Sequence, residues 1–399
     1  MLSWKKFKLS DCLTKVERPV EVVLDKHYAQ IGIRSHGKGL FHKESVTGEE
    51  LGNKAVYWVE PDCFVLNIVF AWEQAIGKTT SSEAGMIASH RFPMYRPKDN
   101  LVDIDYLISF FMTKKGKDIL EAASPGGAGR NRTLGQVSFL NSVITLPPIA
   151  EQRKIAEILS AQDRVIELKT KLLEEKKRLK KYLCQLIMGG NKIKLARGYS
   201  VRLLSSITKK KLIKNKDLKY SVVLSNSAKY GIVPQNVQFD KNIANEENID
   251  RYYVAEIGDF IYNPRISTSA PCGPINQNDC CDGVVSPLYT VFSCSAECVC
   301  DKYLKYYFQT SLWHEYIQSV ANTGARYDRM NVSDKDFFSM AINLPPLNTQ
   351  RQCVVLLDAF SNVIKLMEEN LEQEKLKKKA LMQQLLTGKV RVTGKEGKE

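Results

Sequence analysis

The stretch LPPIAEQRKIAEIL, starting at Leu146, recurs as LPPLNTQRQCVVLL starting at Leu344, 198 residues later. Aligned without a gap, Leu146–Gly190 and Leu344–Gly388 share 18 identical residues in 45 positions. Pro147 meets Pro345, Arg153 meets Arg351, Lys180-Lys181 meets Lys378-Lys379 and Gly190 meets Gly388. A repeat of half the chain constrains the fold more than any local propensity, because each copy must be the same structural piece used twice. Two copies are too few for a solenoid, which needs at least three stacked units. They fit a duplicated domain with internal two-fold pseudo-symmetry.

Each copy reads as one long helix. Proline disfavours helix in the residue before it but is accepted in a first turn, so the two proline pairs mark helix starts. Glu151 suits the positive helix N-terminus of the first copy, and Asn348 or Thr349 can cap the second. Gly190 and Gly388 mark the stops. In the first helix Ile158, Val165, Leu172, Leu179 and Leu186 fall every seven residues. Leu159, Ile166, Leu173 and Ile187 form a second line beside them, broken at Lys180, and Leu357, Ile364, Leu371 and Leu385 repeat it in the second copy. Phe360, Met367 and Leu381 interleave at coiled-coil spacing. From Glu151 to Met188 the helix would be about 57 Å long. That is too long for one small domain, so it should protrude and pack on its own copy. Two apolar lines are wider than a two-helix seam requires. The extra width suits either a further protein surface or the chain's own globular parts. The candidate partner-binding residues are Ile158, Val165, Leu172, Leu179, Leu357, Ile364 and Leu371. The run Lys169–Lys181 holds seven basic and two acidic residues, which suits a solvated face or proximity to phosphates.

The regions before the helices match more faintly. FKLSDCLTK (Phe7–Lys15) pairs with VRLLSSITK (Val201–Lys209), and YWVEPDCFVLN (Tyr57–Asn67) with YVAEIGDFIYN (Tyr253–Asn263). The alternation in CFVLN and DFIYN predicts strands. DIDYLISFFMT and CDKYLKYYFQT predict matching helices before each proline pair. Elsewhere the halves differ. The expected class is α+β: two mixed α/β domains in tandem, over 1–148 and 191–346, each followed by a long helix, over 149–190 and 347–390. Residues 391–399 read as a disordered charged tail. Such a duplicate carries two different surfaces on similar scaffolds, suited to two different short words on one partner.

A net charge of +14 points to a polyanion, most often nucleic acid, although solubility alone also calls for charge. The longest apolar run, Phe64–Trp72, is far shorter than the roughly 20 residues of a membrane span. The N-terminus lacks the apolar core of a signal peptide, so a cytoplasmic location is expected. Ten cysteines should then be reduced thiols. Six of them, Cys272, Cys280, Cys281, Cys294, Cys298 and Cys300, cluster in sequence, but no C-x2-C knuckle occurs, which favours core residues over a metal site.

Catalytic signatures are missing. IGKTT (Ile76–Thr80) resembles the end of a phosphate loop, but Trp72 stands where its first glycine should be. NPRI (Asn263–Ile266) lacks the second proline and the aromatic of a methyltransferase N-P-P-[YFW] loop. No H-E-x-x-H occurs, and the five histidines (His27, His36, His42, His90, His314) show no metal spacing. Asp62 and Asp105 lie in no paired Glu and Lys nuclease arrangement. No metal site and no catalysis by this chain are expected.

LPPIAEQRKIAEIL with a long helix ending near glycine, twice in one chain, resembles the DNA-specificity subunit of type I restriction-modification systems. WKKFKLSD, GDFIYN and GAGRNRTLGQVSFL (Gly127–Leu140) also resemble that family, while LNTQR departs from its pattern at Thr349. The resemblance implies two target recognition domains, each reading half of a bipartite sequence on double-stranded DNA. It implies that the long helices pack as an antiparallel coiled coil that sets the unread spacer. It implies modification subunits, two per chain, which bind S-adenosylmethionine and methylate adenine, and a motor-nuclease subunit, using ATP and Mg, that can join them. No cofactor is expected on this chain. Side chains at base edges carry sequence readout, with arginine suited to guanine and asparagine to adenine. The DNA-binding candidates are Arg34, His36, Lys38, Lys78, Arg130, Asn131 and Arg132 in the first domain. In the second they are Lys229, Tyr230, Asn263, Arg265, Arg326, Tyr327, Arg329 and Asn331. The competing reading is a coiled-coil adaptor that scaffolds a complex without reading DNA.

Overall fold

The computed structural model describes residues 3–126, 132–189, 198–235, 246–322 and 328–392. The chain divides into two compact units, residues 1–170 with 370–399, and residues 171–369. The boundary therefore cuts both long helices, Ile149–Gly189 and Leu347–Leu385, so that each helix lends one half to each unit.

Within each unit the elements follow one plan. In the first, strand Lys5–Lys8 pairs antiparallel with Val143–Leu146, and a short helix Leu9–Cys12 leads into strand Leu13–Val16. That strand joins an antiparallel sheet in the order Leu13–Val16, Met94–Pro97, Phe64–Leu66, Ile76–Lys78. In the second, Ser200–Leu203 pairs with Ala341–Leu344, and helix Leu204–Ile207 leads into a sheet ordered Thr208–Lys211, Thr290–Cys294, Phe260–Tyr262, Ile275–Gln277. The strands and helices read from the matching segments are thus present in both halves, including helices Ile104–Phe111 and Asp301–Phe308. The halves part company in what is added. The first unit carries a further sheet built on the hairpin His27–Ile33/Leu40–Thr47, and the second carries the hairpin Leu224–Ser227/Gly231–Pro234.

The repeated phrase is explained by its glutamine. Gln152 is fully buried; its Nε2 donates to the carbonyls of Leu101 and Pro147, both at 2.9 Å, and its Oε1 accepts from the Asp103 amide at 2.9 Å. Asp103 is the N-cap of helix Ile104–Phe111. Gln350, 1% exposed, repeats the arrangement, donating to Pro345 O and accepting from the amide of Cys300, the N-cap of helix Asp301–Phe308. Each glutamine thus ties the first turn of a long helix to the start of a shorter one. It satisfies backbone groups that would otherwise be buried without partners.

The helix halves in each unit run antiparallel. In the first, Gln162 Nε2 donates to Glu374 Oε2 at 2.8 Å and Lys378 pairs with Asp163. In the second, Lys177 meets Glu368 at 2.9 Å. The second apolar line is the inward one: Leu159, Leu173 and Ile187 are buried, as are Leu357, Ile364, Leu371 and Leu385. At the break in that line the Lys180 ammonium lies 5.4 Å from the centroid of the Tyr306 ring. Leu357, Ile364 and Leu371 are therefore interior residues, not a surface for a partner as the periodicity suggested. Identical heptad spacing cannot say which of two neighbouring lines faces inward. Ile158 is half-buried against the first core, whereas Val165, Leu172 and Leu179 are exposed.

The start of the supposed tail is ordered by Glu151. Arg391 Nε and Nη2 each lie 2.7 Å from its two carboxylate oxygens, and the Val392 amide donates to Oε1. The Arg391 guanidinium also stacks on Trp4, 5.9 Å from the ring centroid. Gly388 ends the helix with φ +73°, and a Cβ there would meet the Trp4 ring at 3.2 Å. Residues 393–399 lie outside the described residues. Glu151 thus anchors a downstream arginine as well as suiting its helix N-terminus.

Replacing Gln152 by Leu strands one buried amide and two carbonyls. It is expected to lower unfolding stability by about 1–3 kcal/mol, the cost of an unsatisfied buried polar group. Urea denaturation followed by amide exchange should localise the loss to the first unit, and Gln350→Leu should localise it to the second. An unchanged midpoint for both variants would remove the clamp from the account.

Candidate nucleic-acid interface

In the first unit the hairpin tip at 34–39 carries three exposed basic candidates, Arg34, His36 and Lys38. The tip needs left-handed backbone: His36 has φ +61°, Gly37 +63° and Gly39 +71°. It is laid against the turn at 70–74. The His36 amide donates to Glu73 O at 2.8 Å, the Gly37 amide to Gln74 O at 2.9 Å, and Ser35 Oγ to Glu73 Oε2 at 2.9 Å. A Cβ at Gly37 would sit 2.3 Å from the Met112 sulfur, so the close approach requires glycine. Gln74 is buried and donates to Phe111 O at 2.7 Å, which fixes the turn to helix Ile104–Phe111.

The same turn positions Arg132. Its guanidinium lies 5.5 Å from the centroid of the Trp72 ring, and the Leu134 amide donates to Ile68 O at 2.8 Å. Arg34 stacks in the same manner on Phe41, at 4.8 Å. Stacked guanidiniums are held by their faces, which leaves the N–H edges free to address acceptors. The structure thus gathers Arg34, His36, Lys38 and Arg132 around one turn. Lys78 is not among them, because its ammonium is 2.8 Å from Asp105 Oδ2. Burial would lower the Lys78 pKa, but the Asp105 hydrogen bond together with the negative charges of Asp105, Asp62 and Asp103 outweighs it and holds the group above its ordinary value. Arg130 and Asn131 lie outside the described residues.

In the second unit a polar cavity of about 540 Å³ brings several candidates together; Asn226, Lys229, Asn263, Arg265, Ser267 and Tyr289 are among its lining. Lys229 and Tyr230 form the tip of the hairpin Leu224–Ser227/Gly231–Pro234, with the ammonium 4.7 Å from the Tyr230 ring centroid. Beneath them Asn226, 3% exposed, donates to the carbonyls of Ile261 and Pro274 and accepts from Asn276. Asn263 donates to Asn226 O and accepts from the Arg265 amide, both at 3.0 Å. Its carboxamide already holds a donor and an acceptor contact, so it shapes the cavity instead of offering the two-point face that would read an adenine. Arg265 and Arg329 are antiparallel bridge partners, and Asn331, two residues on, is exposed. Arg326 and Tyr327 lie outside the described residues.

Sequence reasoning missed Trp72, Tyr289 and Asn226. Trp72 could have been noticed as an aromatic in a polar turn. Buried Asn226 had no local signal, because its partners are 35 to 50 residues away. Among the described residues no three His, Cys, Asp or Glu side chains form a group that could hold a metal ion. None of the described helices is long and apolar enough to cross a membrane.

Two residues of like charge are predicted to behave differently. Arg132→Ala should weaken binding to duplex DNA about tenfold, the effect of losing one well-placed contact. Lys78→Ala, whose cation is already paired, should change affinity less than about twofold, in keeping with an exposed ion pair. Titration of both variants against one duplex at fixed salt measures this, and equal losses would overturn the distinction.

Comparison with known proteins places these features in context. The family model described as "Type I restriction modification DNA specificity domain" matches residues 46–178 and again 204–376. A chain assigned as the MjaX type I restriction enzyme specificity subunit of Methanocaldococcus jannaschii is 25% identical over 347 residues, covering 80% of this chain and 76% of that one. The crystal structure of the HsdS subunit from Thermoanaerobacter tengcongensis superposes with a TM-score of 0.55 at 16% identity, covering 97% of both chains. A chain solved in a study of complex assembly and conformational transition of the type I R-M system gives 0.65 at 15% identity, covering 97% of this chain and 98% of that one.

Proposed function

Because the chain belongs to the family of type I restriction-modification DNA specificity domains, we propose that each of its two units reads one half of a bipartite target on double-stranded DNA. The observation that carries this reading is the pairing of one repeated scaffold with two unlike polar surfaces. A repeated strand, helix and sheet arrangement presents a stacked arginine cluster in one unit and a polar cavity lined by Arg265 in the other. Base edges are read by side chains of this kind, whereas the surplus of 14 positive charges serves affinity for phosphates.

In this reading the chain directs chemistry carried out by others and performs none itself. Modification subunits bind S-adenosylmethionine and methylate adenine, and a motor-nuclease subunit uses ATP and Mg. The long helices set the unread spacer and carry the docking surfaces. Exposed apolar rows support that role: Val165 and Leu168 on the first helix, and Leu356, Val363 and Leu366 on the second. Val165 aligns with Val363 and Leu168 with Leu366 across the repeat, so each unit offers a similar row, consistent with two modification subunits per chain.

Base-modification sequencing of cells with and without this gene tests the main reading. Methylated adenine should appear at one split motif and vanish with the gene, and an unchanged pattern would refute the reading. Val363→Asp with Leu366→Asp should remove one of two modification subunits, because a charge in an apolar contact weakens it by more than about tenfold. Native mass measurement of the assembled complex checks this; retention of both subunits would exclude the row as a docking surface.

A further inference from the structure

The segments 263–267 and 328–330 of the second unit face each other antiparallel. The Ile266 amide donates to Asp328 O at 3.0 Å and the Met330 amide to Pro264 O at 2.9 Å, which sets Arg265 directly opposite Arg329. Asp328 lies between the two side chains. Its Oδ2 is 3.9 Å from Arg265 Nε and 3.7 Å from Arg329 Nε. The two guanidiniums are not equivalent. Arg265 is 69% exposed and lines the polar cavity, while Arg329 is 28% exposed. Tyr289 lines the same cavity as Arg265. Burial raises its pKa, and Ser225 and the two guanidiniums draw it partly back, as expected for a hydroxyl close to both.

This arrangement has a direction. The carboxylate of Asp328 lies within ion-pair reach of both cations, of which Arg329 is the more enclosed. The carboxylate faces the Nε edge of Arg265, and the Asn263 side chain holds the Arg265 amide. The terminal Nη pair forms a second donor fork at the end of the guanidinium. Guanine offers O6 and N7 as two adjacent acceptors in the major groove, which such a fork matches and no other base does. We propose that Arg265 reads a guanine in the half-target of the second unit and that Asp328, placed between Arg265 and Arg329, is its positioning residue. The inference rests on the reading of the chain as a DNA-specificity subunit and names the base and the reader within it.

The test uses the assembled complex of this chain with its modification subunits. Methylated sites are mapped for wild type, Arg265→Ala, Arg265→Lys and Asp328→Asn. Wild type should require guanine at one position of one half-word. All three variants should relax that position while the other half-word stays intact; lysine keeps the charge but lacks the fork. In parallel, binding is measured to duplexes carrying 7-deazaguanine at each guanine of that half-word in turn. One replacement should weaken wild-type binding about tenfold. It should cause no further loss in Arg265→Ala.

Several results would overturn the proposal. They are a half-word without guanine, a motif that stays intact in Arg265→Lys, or methylation that falls evenly at all sites in Asp328→Asn with no change of motif. A 7-deazaguanine penalty that persists in Arg265→Ala would do the same, even if methylation by a variant were too weak to map. Failure of the underlying reading looks different: wild type itself would then show no split motif.

Discussion

The buried carboxamide of Gln152, with its counterpart at Gln350, is the interaction from which the rest of the architecture follows. Where a strand, a loop and two helix starts meet in a protein interior, backbone carbonyls and amides fall outside the helical and sheet bonding patterns and need other partners. The proline pair ends the preceding strand, and the glutamine four or five residues later returns to bond the proline carbonyl and the start of a second helix. One side chain thereby joins the terminal strand, a short helix and a long helix. Losing it would leave several buried polar groups unpaired at once, which is why the phrase recurs where most of its neighbours have diverged.

On this common frame the two units differ where polar side chains reach outward. The first fixes its arginines by stacking on Trp72 and Phe41. The second holds the Arg265 backbone through Asn263 and a bridge between two loops, and sets the Asp328 carboxylate 3.9 Å from its Nε. Stacking removes rotamer freedom from a long cationic side chain before it meets a partner, and a fixed backbone narrows where the side chain can reach; either reduces the ordering cost of binding. The anchoring also differs at the helix start. Glu151 clasps Arg391, whereas Thr349 occupies the aligned position in the second copy and cannot form that ion pair. The departure of LNTQR from the family pattern therefore has a structural counterpart in the first unit alone.

The duplication, the helix limits, the matching strands and the family were legible because they rest on local chemistry: prolines, glycines, period-two and heptad spacing. The candidate site was legible only in part. Arg132, Arg265 and the basic hairpin tip were recognisable as cations near glycine or proline. Lys78 looked the same in sequence, yet Asp105, 27 residues away, occupies it. Asn263 looked like a base reader, yet Asn226 and its own neighbour use its amide. Neither outcome has a local signature, since the deciding partner comes from a distant element: Asp105 from helix Ile104–Phe111, Asn226 from strand Leu224–Ser227.

What the sequence by itself determined, then, is that this chain builds one scaffold twice, joins it to two long helices and carries a cationic surplus. Those properties follow from residue types at fixed spacings along one strand or helix. What only the tertiary structure decided is which of two apolar lines turns inward, which cations remain unengaged, and that Asp328 stands between Arg265 and Arg329. Each of those depends on side chains far apart in sequence meeting at distances of a few ångströms, and no pattern along the chain encodes which of several equally charged or equally apolar residues will meet.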